Sequence, residues 1–133
     1  MKYSLLDLQS LRLDIKPWFK IFLYGDLGSG KTSFVRNILK NQFSVADNVT
    51  SPTYIHYKKY DPNIYHFDLY RLESYDDFVN IGWEEILESD DYISFIEWPE
   101  VLEKTYKPDI VITFDKVEWD EDSREIGIEV KNK

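Results

Sequence analysis

A chain of 133 residues with 43% hydrophobic and 17% aromatic residues can pack one core, which excludes overall disorder and reads as a single domain over residues 1–133. It has no cysteine, so disulfides and thiolate metal sites are excluded, and no apolar run reaches the roughly 18–20 residues of a spanning helix or follows an export-signal pattern. The net charge of −9 is unevenly placed: residues 1–60 carry nine Lys/Arg against four Asp/Glu, and residues 61–133 carry seven against twenty-one. The first part suits an anionic ligand, and the second would repel a nucleic-acid backbone.

In chain order, leucines spaced through residues 4–13 are compatible with an amphipathic helix that Pro17 closes. Phe19-Lys20-Ile21-Phe22-Leu23-Tyr24 reads as a buried strand, and it runs directly into Gly25-Asp26-Leu27-Gly28-Ser29-Gly30-Lys31-Thr32. That octet is GxxxxGK[ST], the pattern of a phosphate-binding loop between a strand and a helix. The helix follows, since Phe34, Val35, Ile38 and Leu39 recur at helical spacing, and it extends to about Gln42. Glycines allow successive N–H groups to turn inward on an anion, and the helix N-terminus adds partial positive charge. In such a loop Lys31 reaches the β- and γ-phosphates and the Thr32 hydroxyl ligates Mg²⁺.

A polar stretch, Ser44 to Pro52, reads as a long loop, and Ser51-Pro52-Thr53-Tyr54 closes it before a strand. Tyr54–Tyr60 and Ile64–Asp68, separated by Asp61-Pro62-Asn63, predict an antiparallel hairpin. Residues 74–89 predict one or two short helices broken near Gly82. Tyr92–Glu97 is a further buried strand ended by Pro99, with His66 and Trp98 read as packed or rim residues. Ile110–Phe114 and Arg124–Val130 predict two late strands flanking an acidic hairpin tip, Glu118-Trp119-Asp120-Glu121-Asp122.

The pattern is α/β: a P-loop NTPase-like domain with a central mixed sheet, a parallel core, antiparallel edge strands and flanking helices. Ligands in such sheets sit beyond the carboxyl ends of the parallel strands, and two predicted strands end there in an acid, Asp68 and Glu97. The run before Glu97 is the more continuously apolar, as a central strand would be, so Glu97 is placed at the metal and Asp68 as the second acid or an outer-shell partner.

Taken together, Gly25–Phe34, Ser51-Pro52-Thr53-Tyr54, His66-Phe67-Asp68-Leu69-Tyr70-Arg71-Leu72 and Ile96-Glu97-Trp98-Pro99-Glu100, in that order, resemble the bacterial TsaE family. That family is the ATPase component of the tRNA threonylcarbamoyladenosine pathway. The resemblance implies a protein that depends on ATP and Mg²⁺ and works with the TsaB and TsaD proteins, and the cysteine-free sequence without an export signal reads as cytoplasmic. TsaD would itself transfer the threonylcarbamoyl group to the adenosine beside the anticodon of ANN-decoding tRNAs. It further implies that Gly28, Ser29, Gly30, Lys31, Thr32 and Ser33 contact the nucleotide, that Thr32 and Glu97 bind Mg²⁺, and that Lys31, Asp68 and Glu97 serve hydrolysis. Thr53 and Trp98 would join the hydrolytic or switch machinery, and Arg124 falls near a family nucleotide contact.

Other classes stay open on the residues. A small-molecule kinase normally carries an Arg-bearing lid, whereas Arg71 and Arg124 are the only arginines after residue 36. A GTPase normally carries an Asn/Thr-Lys-x-Asp guanine motif, and the nearest match is Tyr106-Lys107-Pro108-Asp109. A nucleotide-gated binding module with incidental turnover is a third reading.

Overall fold

The computed structural model describes residues 2–3, 12–26, 30–45, 57–60, 63–117 and 120–131. Among them a seven-stranded sheet forms from β1 (Lys2–Tyr3), β2 (Lys20–Tyr24), β3 (Tyr57–Tyr60), β4 (Ile64–Asp68), β5 (Ile93–Glu97), β6 (Ile110–Val117) and β7 (Asp120–Val130), in the order β1-β7-β6-β2-β5-β4-β3. Strands β4, β5, β2 and β6 are parallel, while β3, β7 and β1 add antiparallel edges. The mixed sheet with a parallel core is thus the one the sequence predicts.

Register then sorts the side chains into two layers, because paired residues of adjacent strands project to the same face. Leu23 pairs with Glu97, and Glu97 with Asp68, so Ile21, Leu23, Phe95, Glu97, Ile64, His66 and Asp68 share one face. Helix α1 (Lys31–Gln42) covers that face with Phe34, Val35, Ile38 and Leu39, each at most 1% exposed. The other face carries Phe22, Tyr65, Phe67 and Ile96, packed against Phe78 of α2 (Tyr75–Ile81), Leu87 of α3 (Glu84–Glu88), and Leu102 of a 3₁₀ turn, Pro99–Leu102.

The local signals explain the short helices. Ser74 accepts a hydrogen bond from the Asp77 amide at 3.3 Å, Asp76 and Asp77 sit in the first turn of α2, and Gly82 ends the helix in the left-handed conformation at φ 89°. The break near Gly82 lies where the sequence predicts it.

Some expectations shift. The helix over residues 4–13 falls mostly outside the described residues, and Arg12 and Leu13 are not helical. Instead the amide and carbonyl of Leu13 are both engaged by the Gln42 side chain at the end of α1, and Leu13 packs on the α1-side core. The last strand opens at Asp120 rather than Arg124, so Asp120, Glu121 and Asp122 belong to a strand and not to a turn, while Glu118 and Trp119 lie outside the described residues. The physical reason is the ladder: Val117 pairs with Asp120 and Lys116 with Arg124, across an irregularity at Lys116/Val117.

Candidate functional site

Four acceptor- or donor-bearing residues arrive at one end of the sheet from three elements. Lys31 and Thr32 open α1, Glu97 ends β5, and Asp68 ends β4 one strand further out. Gly30 precedes the helix in the left-handed conformation at φ 104°, ψ 10°, a geometry glycine adopts without a steric cost, and its carbonyl takes the Phe34 amide at 2.9 Å. The first turn of α1 has no acidic residue and no side-chain cap, so its amides remain available to an anion.

The Thr32 hydroxyl lies 3.1 Å and 3.3 Å from the two carboxylate oxygens of Glu97. The nearer of those oxygens, Oε2, is also 2.5 Å from Nε2 of His66, whose side chain is fully buried. Asp68 Oδ1 accepts the Tyr70 amide at 3.0 Å, and the Leu69 amide donates to the Glu97 carbonyl at 3.0 Å, which ties the two strand ends together. Asp68 and Glu97 are 4% and 3% exposed. Buried carboxylates of this kind need polar partners nearby, and the constellation supplies them.

Lys31 is 4% exposed and is held from two sides. Its ammonium donates to the Gly25 carbonyl at 2.5 Å and stands 3.7 Å from the centre of the Trp98 ring. Burial lowers its pKa from the ordinary lysine value, against the opposing pull of Glu97, Asp68, Glu100 and Asp26. Trp98 takes φ 57°, ψ 59°, a left-handed backbone that is unusual for a bulky residue, and its ring also meets Tyr70 at 4.8 Å between centroids.

Of the residues the sequence singled out, Gly30, Lys31, Thr32, Asp68, Glu97 and Trp98 come together, and Ser33 follows on the first turn of α1. Gly28, Ser29 and the Ser51-Pro52-Thr53-Tyr54 segment lie outside the described residues. Arg124 sits in β7 opposite Lys116, three residues past the Thr113 that pairs with Tyr24. Its backbone is therefore at the phosphate-loop end of the sheet, about 10 Å beyond that pair.

The contact that sequence reasoning missed is His66 with Glu97. The signal was the alternation Ile64, His66, Asp68: a histidine two residues before an acid faces the same way as that acid, toward the covering helix.

As chemistry, a hydroxyl and a carboxylate side by side offer hard oxygen donors. Among the described residues no group of three His, Cys, Asp or Glu could hold a metal alone. Such a partial donor set fits Mg²⁺, which is bound through one or two carboxylates and completed by phosphate oxygens and water.

The layered mixed sheet, with a helix starting directly over the carboxyl end of its central strand, defines an α/β protein of the P-loop type. A crystal structure titled Bacillus subtilus YdiB has the same fold, with a TM-score of 0.67 at 22% identity over 98% of this chain and 84% of that one. The chain belongs to the TsaE family: the model described as threonylcarbamoyl adenosine biosynthesis protein TsaE matches residues 5–126. Among curated relatives, the tRNA threonylcarbamoyladenosine biosynthesis protein TsaE of Rickettsia typhi is 37% identical over 101 residues, 74% of this chain and 69% of the relative. The protein of the same name from Borreliella burgdorferi is 45% identical over 89 residues, 64% of each chain. The matches thus span about two thirds of the length of these curated relatives. Among the described residues no helix is long and apolar enough to cross a membrane.

Proposed function

We propose that this chain is the ATP-binding and hydrolysing component of the cytoplasmic machinery that makes threonylcarbamoyladenosine in tRNA, acting with TsaB and TsaD. The observation that carries the reading is the meeting of Thr32 with Glu97, beside a buried Lys31, on a chain of the TsaE family. These are the groups that nucleotide phosphates and their cation require at the end of a P-loop strand.

In this reading the α1 amides and Gly28 through Ser33 cradle the phosphates. Lys31 exchanges the Gly25 carbonyl and the Trp98 ring for phosphate oxygens, an exchange that costs little because its ammonium gives up weak neutral partners for charged ones. Thr32 and Glu97 hold Mg²⁺, which when bound offsets charge on the phosphates. Asp68, one register step from Glu97, orients the attacking water, and Arg124 reaches the nucleotide from β7. Hydrolysis by the chain alone is slow, as in P-loop proteins whose turnover depends on a partner. The threonylcarbamoyl transfer itself belongs to TsaD, with tRNA touching this chain indirectly or not at all.

Reconstitution with TsaB, TsaD and tRNA tests the assignment. With this chain and ATP the modification is expected to pass through many turnovers, and Lys31→Ala is expected to stop it after about one. Many turnovers without the chain would overturn the pathway assignment. A phosphorylated metabolite in place of free phosphate would favour a kinase, and tighter binding of GTP than ATP would favour a GTPase.

A further inference from the structure

The α1 side of the sheet is apolar except at its carboxyl edge, where His66 interrupts the run from Ile64 to Asp68. A histidine with no exposed surface costs desolvation of its ring nitrogens, and an apolar residue would pack in that place more cheaply. Here one nitrogen is used: Nε2 lies 2.5 Å from Glu97 Oε2. The other, Nδ1, has no hydrogen-bond partner among the described residues. A carboxylate oxygen accepts hydrogen bonds, and an imidazole with its proton on Nε2 would donate to it in this geometry.

The contact has a geometric consequence. Glu97 has three side-chain torsions and ends its strand beside the start of α1, so its carboxylate needs a neighbouring partner to fix its orientation. His66 is anchored in β4, in register beside Phe95, and its fully buried ring lies 2.5 Å from the carboxylate. With Oε2 held, the Thr32 hydroxyl meets the same group at 3.1 Å.

We propose that His66 is a positioning residue that donates Nε2–H to Glu97 and so fixes the carboxylate in the orientation that faces Thr32. The inference rests on the proposed Mg²⁺ role of Glu97, and losing a hydrogen-bond partner of a metal ligand commonly changes metal affinity by about 10- to 100-fold.

Two measurements test it on the full chain. In the first, a fluorescent methylanthraniloyl-ADP is titrated with and without Mg²⁺. His66→Leu is expected to lose about tenfold of the Mg²⁺-linked gain in affinity while keeping the Mg²⁺-free affinity and a cooperative unfolding transition. His66→Gln, whose amide can still donate, is expected to recover part of that gain. An unchanged Mg²⁺-linked gain in His66→Leu would overturn the inference, as would an equal loss with and without Mg²⁺. In the second, imidazole ¹⁵N resonances are read without nucleotide; the chain has only two histidines, so His56→Gln assigns them. A protonated Nε2 on His66 whose proton resonance shifts in Glu97→Ala is expected. An Nδ1-protonated ring, or one indifferent to Glu97→Ala, would overturn the inference. If the NMR result holds and wild type gains nothing from Mg²⁺, the metal reading of Glu97 fails and the positioning role toward Mg²⁺ falls with it.

Discussion

Lys31 rests between the Gly25 carbonyl and the face of Trp98, and that pairing links the strained residue of the site to its cation. A non-glycine residue in the left-handed region costs on the order of 1–3 kcal/mol and persists only where its surroundings hold it there. For Trp98 those surroundings are Lys31 on its ring, Tyr70 beside it, and Pro99, which opens the 3₁₀ turn. If nucleotide draws the ammonium away, the indole loses a cation within a few ångström of its ring. Tryptophan emission is therefore expected to change on adding Mg²⁺-ADP to wild type and to stay flat in Trp98→Phe. A full response in Trp98→Phe would place the reporter at another of the four tryptophans. The sequence singled out Lys31 and Trp98 but not their contact or the left-handed backbone, because tryptophan has no left-handed preference and the contact forms only when α1 meets the end of β5.

At the scale of elements, each helix end carries its own explanation. Gly82 stops α2 at φ 89° with open space where a Cβ would stand, so Gly82→Ala tests backbone strain without a clash. It is expected to lower stability by about 1 kcal/mol, read as a shift in urea midpoint at unchanged slope. No shift would mean that the α2–α3 junction relaxes freely. The strand–loop–helix unit, the β3–β4 hairpin, the Gly82 break and the acids ending β4 and β5 were all legible, because each is written in local periodicity and turn residues. What escaped was written across strands. His66 meets Glu97 only once β4 and β5 are aligned. The Asp120–Asp122 run looks like a turn until Asp120 pairs with Val117 of β6, and the two residues of β1 owe their strand state to Gly127 and Ile126 far along the chain. The Thr32–Glu97 meeting was half legible: both residues stood out, but their 3.1 Å approach depends on where α1 begins over β5.

For the whole molecule, charge and ligand linkage give the broadest expectations. A chain of net charge −9, with its acidic excess in residues 61–133, gains little from counterion release on a polyanion. Direct tRNA binding is expected to be undetectable at micromolar chain by fluorescence anisotropy at moderate salt; tight binding that weakens steeply with salt would contradict this. A nucleotide that occupies the site binds only the folded chain, and at about a hundred times its dissociation constant it adds about 2.7 kcal/mol of stability. Mg²⁺-ATP is thus expected to raise the unfolding temperature of wild type and to leave Lys31→Ala where it was.

The central claim, a Mg²⁺-dependent ATPase site whose metal is held by Glu97 against Thr32, is tested most directly by phosphate release with TsaB and TsaD present, for wild type and Glu97→Ala over a range of Mg²⁺. Mg²⁺-dependent release is expected of wild type. Glu97→Ala is expected to retain ATP binding with turnover reduced at least a hundredfold, on the order of 3 kcal/mol of transition-state stabilisation. Normal, Mg²⁺-dependent hydrolysis by Glu97→Ala would contradict the claim.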